Sequence, residues 1–405
     1  PVSKIMRNWT SQSGYPLVQI IEKPKHWLLK QSRFFSSELS RKRDKGKNLW
    51  SIPVIFGKER FIFKTKEFKI PKPVPTKKLN SGETSLFRAD YPAQILEQFK
   101  PMIANKKMPV LDRLGLIRDA FTLSESGQLP TVQALRLALA YKDETELVIW
   151  EELASSLYRL RNLLFEQNGF ELYQKFCLKF YHEISNRLGW TEKRSEPHGE
   201  KILRSLILNQ LAQSGDKKAA KKALKIFLSG KKIPPNLRGA IYALSAKTNK
   251  AAVFKKFIKK YVKEKMHEEQ ERIGRALAQF EDSRFLKQTL NFSLSKYVRP
   301  QNAPFIILAV FQNPFGRQLA WQFVKKHWPE LKKRFSAGLS LLIRIVNGAG
   351  SLVSADKSKD FIRFFSKNKT LGIKRAVSQS KEKIDSNAAW LKRDGEKIIR
   401  WLEQN

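Results

Sequence analysis

The amino-acid sequence predicts two cores in one chain: a small antiparallel β-sandwich, then a large all-α superhelix. Three observations predict it. Residues 15–92 alternate apolar and polar positions in short runs divided by turn signals. From about Ala93 the apolar period changes to 3.6 and stays there to the end. A chain of 405 residues with 41% hydrophobic content and nine tryptophans also has the apolar mass for more than one core.

The chain opens on an amphipathic run, Val2, Ile5, Met6 and Trp9, which Gly14 and Pro16 bring to a stop. Residues 1–12 read as the end of a helix that belongs to an upstream domain. Pro1 in place of an initiator Met gives the same expectation, a downstream part of a larger protein. Strand-like sequence runs from Leu17 to Glu22, turns at Lys23-Pro24, and resumes from His26 to Phe35. A polar loop, Ser36 to Lys47, precedes Leu49 to Phe56, and Gly57-Lys58 turns into Arg60 to Lys66. The Pro71 to Pro75 segment is extended and belongs at an edge or in a connection. Leu86 to Tyr91 is the last strand, closed by Pro92, so residues 13–92 form the sandwich.

Residues 93–405 read as helices throughout. Leu111, Leu114, Ile117 and Phe121 line one helical face. Val253, Phe254, Phe257, Ile258, Tyr261 and Val262 make another stripe, with lysines opposite. Breaks fall at Ser126-Gly127, Asn168-Gly169, Ser214-Gly215, Lys232 to Pro235, Thr248-Asn249 and Asn313-Pro314. So many helical hairpins cannot share one bundle, and stacking them as a degenerate HEAT/armadillo-like array buries every apolar face.

Composition bounds the function. Seventy-eight Lys and Arg against 37 Asp and Glu give a net charge of +41, a field that attracts polyanions and anionic membrane surfaces. The competing reading is an evenly basic, solvated surface. The longest apolar run, Ala303 to Phe311, is half the length needed to cross a bilayer, so no span is expected. Cys177 has no second cysteine to pair with and sits in a Leu- and Phe-rich helix, where it reads as a small buried hydrophobe. A reducing, cytoplasmic setting is the expectation.

Several segments, in this order, carry a family likeness. They are Trp9 to Val18 (WTSQSGYPLV), Gln31 to Phe35 (QSRFF), Trp50 to Val54 (WSIPV), Phe87 to Tyr91 (FRADY) and Asp112 to Phe121 (DRLGLIRDAF). Further on come Pro235 to Tyr242 (PNLRGAIY), Asn313 to Phe323 (NPFGRQLAWQF), Lys381 to Ile384 and Trp390-Leu391. Together they resemble the C-terminal half of the zinc aminopeptidases of the aminopeptidase N family, across nearly the whole chain. The resemblance implies that residues 1–12 close a catalytic-type domain and that the helical domain caps a peptide-binding active site.

It also implies what to look for in catalysis: H-E-x-x-H on a helix for zinc, and a Gly-Ala-Met-Glu-Asn segment for the peptide's amino end. Neither occurs here. His26, His182, His198, His267 and His327 lie too far apart for an i, i+4 metal clamp. No catalytic and no metal-binding residue is therefore expected in this chain, and zinc is expected in the upstream domain. From the same resemblance, Arg238, Tyr242 and Arg317 are the candidates for contact with the far end of a peptide, by charge and hydrogen bonding to a carboxylate. The competing reading is that they brace helix ends.

Residues 217–265 hold a single acid, Glu264, and Lys255, Lys256, Lys259 and Lys260 form a candidate anion-binding surface. The interleaved Phe227, Phe254, Phe257 and Tyr261 fall on the apolar stripe and read as core, not as stacking platforms. Such a basic surface is unusual for the resembled family. Two function classes follow. One is the non-catalytic C-terminal portion of a zinc aminopeptidase, partnered by a catalytic domain and peptides. The other is a silent scaffold that binds nucleic acid or acidic partners weakly through its charge.

Overall fold

The computed structural model describes residues 2–44, 46, 48–71, 78–193, 195–335 and 338–405. It shows a small β-sandwich followed by a helical superhelix. The residues divide into two compact units, Pro1–Ser156 with Arg393–Asn405, and Leu157–Lys392.

In the first unit, helix α1 (Val2–Thr10) is held by the polar residues at its end. Asn8 Oδ1 accepts from the Ser51 N–H (2.7 Å), and Trp9 Nε1 donates to the Ser51 carbonyl (3.0 Å). Gln12 donates to the carbonyl of Leu49 at 2.9 Å. Gly14 then turns the chain at φ +91°, where a Cβ would meet the Arg33 side chain at 2.7 Å.

Strands β1 (Pro16–Glu22), β2 (His26–Arg33), β3 (Ile52–Phe56), β4 (Glu59–Phe63), β5 (Glu67–Pro71) and β6 (Arg88–Asp90) form two sheets, β5-β2-β1-β6 and β3-β4. Their faces meet through Trp27 against Phe56 and Phe63 against Phe68, each pair 5.9 Å between ring centroids. Buried Gln31 bridges from β2 to Trp50, accepting its N–H (2.9 Å) and donating to its carbonyl (3.1 Å).

Three features depart from the expected layout. A short helix α2 (Glu38–Arg43), capped by Ser37, lies inside the expected polar loop. Strand β5 adds an edge to the sheet; it ends at Pro71, which fits proline's missing N–H, and the expected extended run over residues 72–75 lies outside the described residues. Finally, β6 pairs with β1 in parallel, because the chain passes through the second sheet before it returns.

Asp90 sits opposite Gln19 in that pairing. Burial pushes its carboxyl up to about 6, against the hydrogen bond from Gln19 and the charge of Arg41. Between the unfolded value and about 6 the folded state holds a proton that the unfolded state lacks, so stability falls as pH rises through that window. For this half-buried group the loss is about 2 kcal/mol after solvent screening. Thermal melts of Asp90→Asn are expected to flatten that slope, and an unchanged slope would refute the assignment.

The unit continues with α3 (Ala93–Ala104), α4 (Val110–Glu125), α5 (Thr131–Ala138) and the first part of α6 (Leu147–Leu164). Helix α4 carries the DRLGLIRDAF segment, and its charges dock the sheet. Asp112 accepts from the Gly82 N–H (2.7 Å), and Asp119 accepts from Arg88 and from the Ala89 N–H, both at 2.9 Å. Glu83 is clasped by Lys78 and Arg118 over Gly115, where a Cβ would run into that carboxylate.

In the second unit the helices are α7 (Phe170–Leu188), α8 (His198–Gln213), α9 (Lys217–Leu228), α10 (Arg238–Ala246), α11 (Ala251–Lys263) and α12 (His267–Leu277). They are followed by α13 (Ser283–Ser293), α14 (Ala303–Gln312), α15 (Arg317–Arg334), α16 (Leu339–Gly348), α17 (Ala355–Lys367) and the first part of α18 (Lys374–Glu403), whose end from Arg393 belongs to the first unit. Helices α8, α10, α12, α14 and α16 touch in succession, and α9, α11 and α13 pack against α10, α12 and α14. This is a two-row stack of helical hairpins; several of its breaks fall where glycine, proline and asparagine mark them in the sequence, while those at Glu264–Met266 and Ala278–Asp282 carry none of these residues.

Phe227, Phe254, Phe257 and Tyr261 are buried between the rows, as expected of core. Cys177 is buried too, and burial pushes its thiol up to about 12, which suits a packing residue. No helix among the described residues is long and apolar enough to cross a membrane.

Candidate peptide-contacting site

Arg238 and Tyr242 lie one turn apart on α10 and converge on one acid, Glu269 of α12. Tyr242 donates to Glu269 Oε1 at 2.7 Å, and Arg238 Nη1 reaches Oε2 at 3.4 Å. Arg272 bonds the same carboxylate, and Lys260 Nζ lies 3.7 Å from it. Arg238 Nε also donates to the Ile233 carbonyl at 3.2 Å. Glu269 is buried; burial raises its carboxyl, but the Tyr242 hydrogen bond and the Arg272 and Lys260 charges outweigh that and hold it below the usual range. Burial, reinforced by Glu269, pushes the Tyr242 phenol up. Both candidates therefore have bracing partners already in hand.

Arg317, the third candidate, is 3% exposed at the start of α15. Its Nη1 donates to the carbonyls of Asn162 (2.8 Å) and Ser351 (3.2 Å), so it closes the end of α6. Its Nη2 has no hydrogen-bond partner among the described residues and lies 3.6 Å from the exposed Glu166.

The structure adds two cations that pattern reading did not single out. Arg161 of α6 is 4% exposed; its Nε donates to the Gln213 carbonyl (2.7 Å) and its Nη1 has no partner among the described residues. Burial lowers its pKa, against the opposing pull of the Tyr158 phenol and the Glu281 charge. Burial together with the Arg161 charge brings Lys247 down to about 8, although Glu281 stands 3.1 Å away. Arg161 and Arg317 each also feel the Tyr158 phenol.

Arg161 borders a void of about 10 Å³ with Tyr158, Gln210 and Gln213, room for about one water. Gln213 continues into a cleft of about 430 Å³ between α8, α10 and α12, lined by Asn209, Gly239, Arg272, Arg275 and Gln279 among others. Gly239 leaves that wall low, since a Cβ there would meet nothing within 4 Å. The helical backbone at Gly239 has no need of glycine, so the open space is what its missing side chain provides.

The lysines divide. Lys255 and Lys259 are exposed, Lys256 lies 5.0 Å over the Phe227 ring, and Lys260 reaches Glu264 and Glu269. The histidines do not gather. His182 pairs with Asp216 (3.1 Å), His327 with Glu330 (3.2 Å), and His267 meets Arg299. Among the described residues no three His, Cys, Asp or Glu side chains come together to hold a metal, so these residues do not form a zinc site of the usual kind.

Comparison with known proteins places the chain. The family described as the ERAP1-like C-terminal domain matches residues 77–386. Aminopeptidase M1-A of Oryza sativa subsp. japonica is 29% identical over 418 residues, covering 96% of this chain and 47% of its own length. Puromycin-sensitive aminopeptidase of Caenorhabditis elegans is 27% identical over 100% of this chain and 46% of its own length. Endoplasmic reticulum aminopeptidase 1 of Rattus norvegicus is 26% identical over 100% of this chain and 45% of its own length. The chain thus spans about half the length of the curated relatives it matches. It belongs to the ERAP1-like C-terminal domain family, the C-terminal part of aminopeptidases of the aminopeptidase N kind.

Proposed function

We propose that this chain is the non-catalytic C-terminal portion of a zinc aminopeptidase, where it shapes and caps the chamber that holds the peptide. The observation that carries the reading is the match along 96–100% of this chain to aminopeptidases roughly twice its length. Zinc and the cleavage chemistry would belong to an upstream catalytic domain, spanning residues 1–12 and beyond. A buried Cys177 suits a reducing compartment such as the cytoplasm.

Within this reading the cleft between α8, α10 and α12 receives the far stretch of the peptide. Its amides suit peptide groups, and Arg161 Nη1, which has no partner among the described residues, suits the terminal carboxylate through a water in the adjoining void. Arg317 supports that end with Nη2, while Arg238 and Tyr242 act as wall braces through Glu269.

Fluorescence anisotropy with labelled peptides tests it. A free C-terminus is expected to bind about tenfold more tightly than its amide, the size of a charge-assisted hydrogen bond. Arg161→Met is expected to erase the difference. Equal binding of both peptides by the unaltered chain, or hydrolysis of an aminoacyl anilide by the chain alone, would overturn the reading.

A further inference from the structure

Three successive connections of the helical unit lie side by side along one edge. They join α9 to α10, α11 to α12 and α13 to α14. Arg238 bonds the Ile233 carbonyl of the first, and Arg238 and Lys260 both reach Glu269 (3.4 and 3.7 Å), which ties the first to the second. Arg299 of the third lies 2.5 Å from His267 Nε2, one residue past Met266 of the second.

Large apolar side chains stand in water along this edge. Leu228 is 51% exposed, Val262 43%, Met266 62% and Tyr297 51%. Exposed lysines flank them: Lys231 and Lys232, Lys263 and Lys265, then Lys296. Residues 217–265 hold fifteen Lys and one Arg against Glu264 alone, and Glu264 is already met by Lys260 at 3.7 Å.

A single exposed apolar residue needs no explanation. Four of them at three adjacent connections or the helix ends that lead into them, set between lysines, match the chemistry of a bilayer interface. There the apolar groups enter the acyl boundary and the ammonium groups stay among phosphate headgroups. Nucleic acid fits less well: the aromatic rings of α9 and α11 are buried and offer no base-stacking surface. We propose that this edge docks peripherally on an anionic bilayer, with Leu228, Val262, Met266 and Tyr297 entering the interface and the flanking lysines on the headgroups. The proposal is independent of the peptide reading.

Co-sedimentation of the full 405-residue chain with phosphatidylcholine vesicles, with and without phosphatidylglycerol, tests it. Binding is expected only to the anionic vesicles. Lys232→Ala, Lys265→Ala and Lys296→Ala are each expected to weaken it about fivefold. The Leu228→Ser/Met266→Ser double variant is expected to lose the part of binding that survives high salt. Its affinity for duplex DNA, measured in parallel, should not move. These positions are exposed, so unchanged thermal melts are expected to accompany every variant. No sedimentation with anionic vesicles at low salt sinks the proposal. So does vesicle binding that the apolar variant leaves intact, since the surface would then be a general polyanion binder.

Discussion

Arg113→Met is expected to lower the stability of the first unit by about 3–5 kcal/mol. The guanidinium and the Glu144 carboxylate are 5% and 1% exposed and meet through two bonds, Nε to Oε2 at 2.8 Å and Nη2 to Oε1 at 3.2 Å. Methionine nearly fills the space, so the cavity term is small. What remains is a buried carboxylate that has lost its charged partner but still accepts from the N–H groups of Thr145 (2.7 Å) and Glu146 (3.0 Å).

Burial pushes the Glu144 carboxyl up, yet the Arg113 hydrogen bond and those two N–H groups outweigh it, and the group rests below the usual range. In the unaltered chain its contribution is therefore present above the unfolded pKa and lost as pH falls through the lower folded one. Without Arg113 the largest influence that opposes burial is gone, and the folded pKa rises. The sign then reverses: the variant should gain stability relative to the parent as pH drops from 7 toward 5. Adding Glu144→Leu should restore part of the loss, because no uncompensated charge stays buried, although two backbone donors lose their acceptor. Urea unfolding at both pH values reads all three, and a loss below about 1 kcal/mol for Arg113→Met would show that the pair is not a net stabiliser.

This pair also marks where sequence reading stops. The period of the apolar positions marks most of the strands and long helices, because most of them bury one face. Helix α4 buries several. Leu111, on its expected apolar face, is 49% exposed, while Asp112, Arg113 and Asp119 are in the interior. Their partners, Gly82, Glu144 and Arg88, lie about 30 positions away, so no local pattern announces them. Strand β5 escaped notice for a related reason: only five residues long, it closes on a proline that argues against a strand.

The candidate site was legible in part. Arg238 and Tyr242 stood out from their segment, but Glu269, the acid that claims both, is 31 and 27 residues downstream. Arg161 carried a readable signal. It falls on the stripe of Leu153, Leu157, Leu160 and Leu164, and an arginine on an apolar stripe is a buried charge in need of an anion. Lys247 offered none, since a lysine just past a helix end is ordinarily a solvated cap.

Glu269→Ala is expected to cost the second unit about 3–5 kcal/mol. The alanine leaves the Tyr242 hydroxyl buried without its acceptor and removes the one acid shared by Arg238, Lys260 and Arg272. Glu269→Gln separates the two losses. The amide oxygen still accepts from Tyr242, and the three cations, each about a quarter to a third exposed, recover solvation from water. Its cost should therefore be about 1–2 kcal/mol. Because the folded carboxyl sits below its unfolded value, this contribution is present above the unfolded pKa and fades as pH falls through the folded one. The glutamine variant should lack that acid-side loss. Hydrogen exchange on the amides of α10 and α12 localises the effect, since opening there is governed by the same contacts. Equal protection in the alanine variant and the unaltered chain would mean that Glu269 does not hold the two helices together, and Arg238 and Tyr242 would then be free to serve a ligand instead.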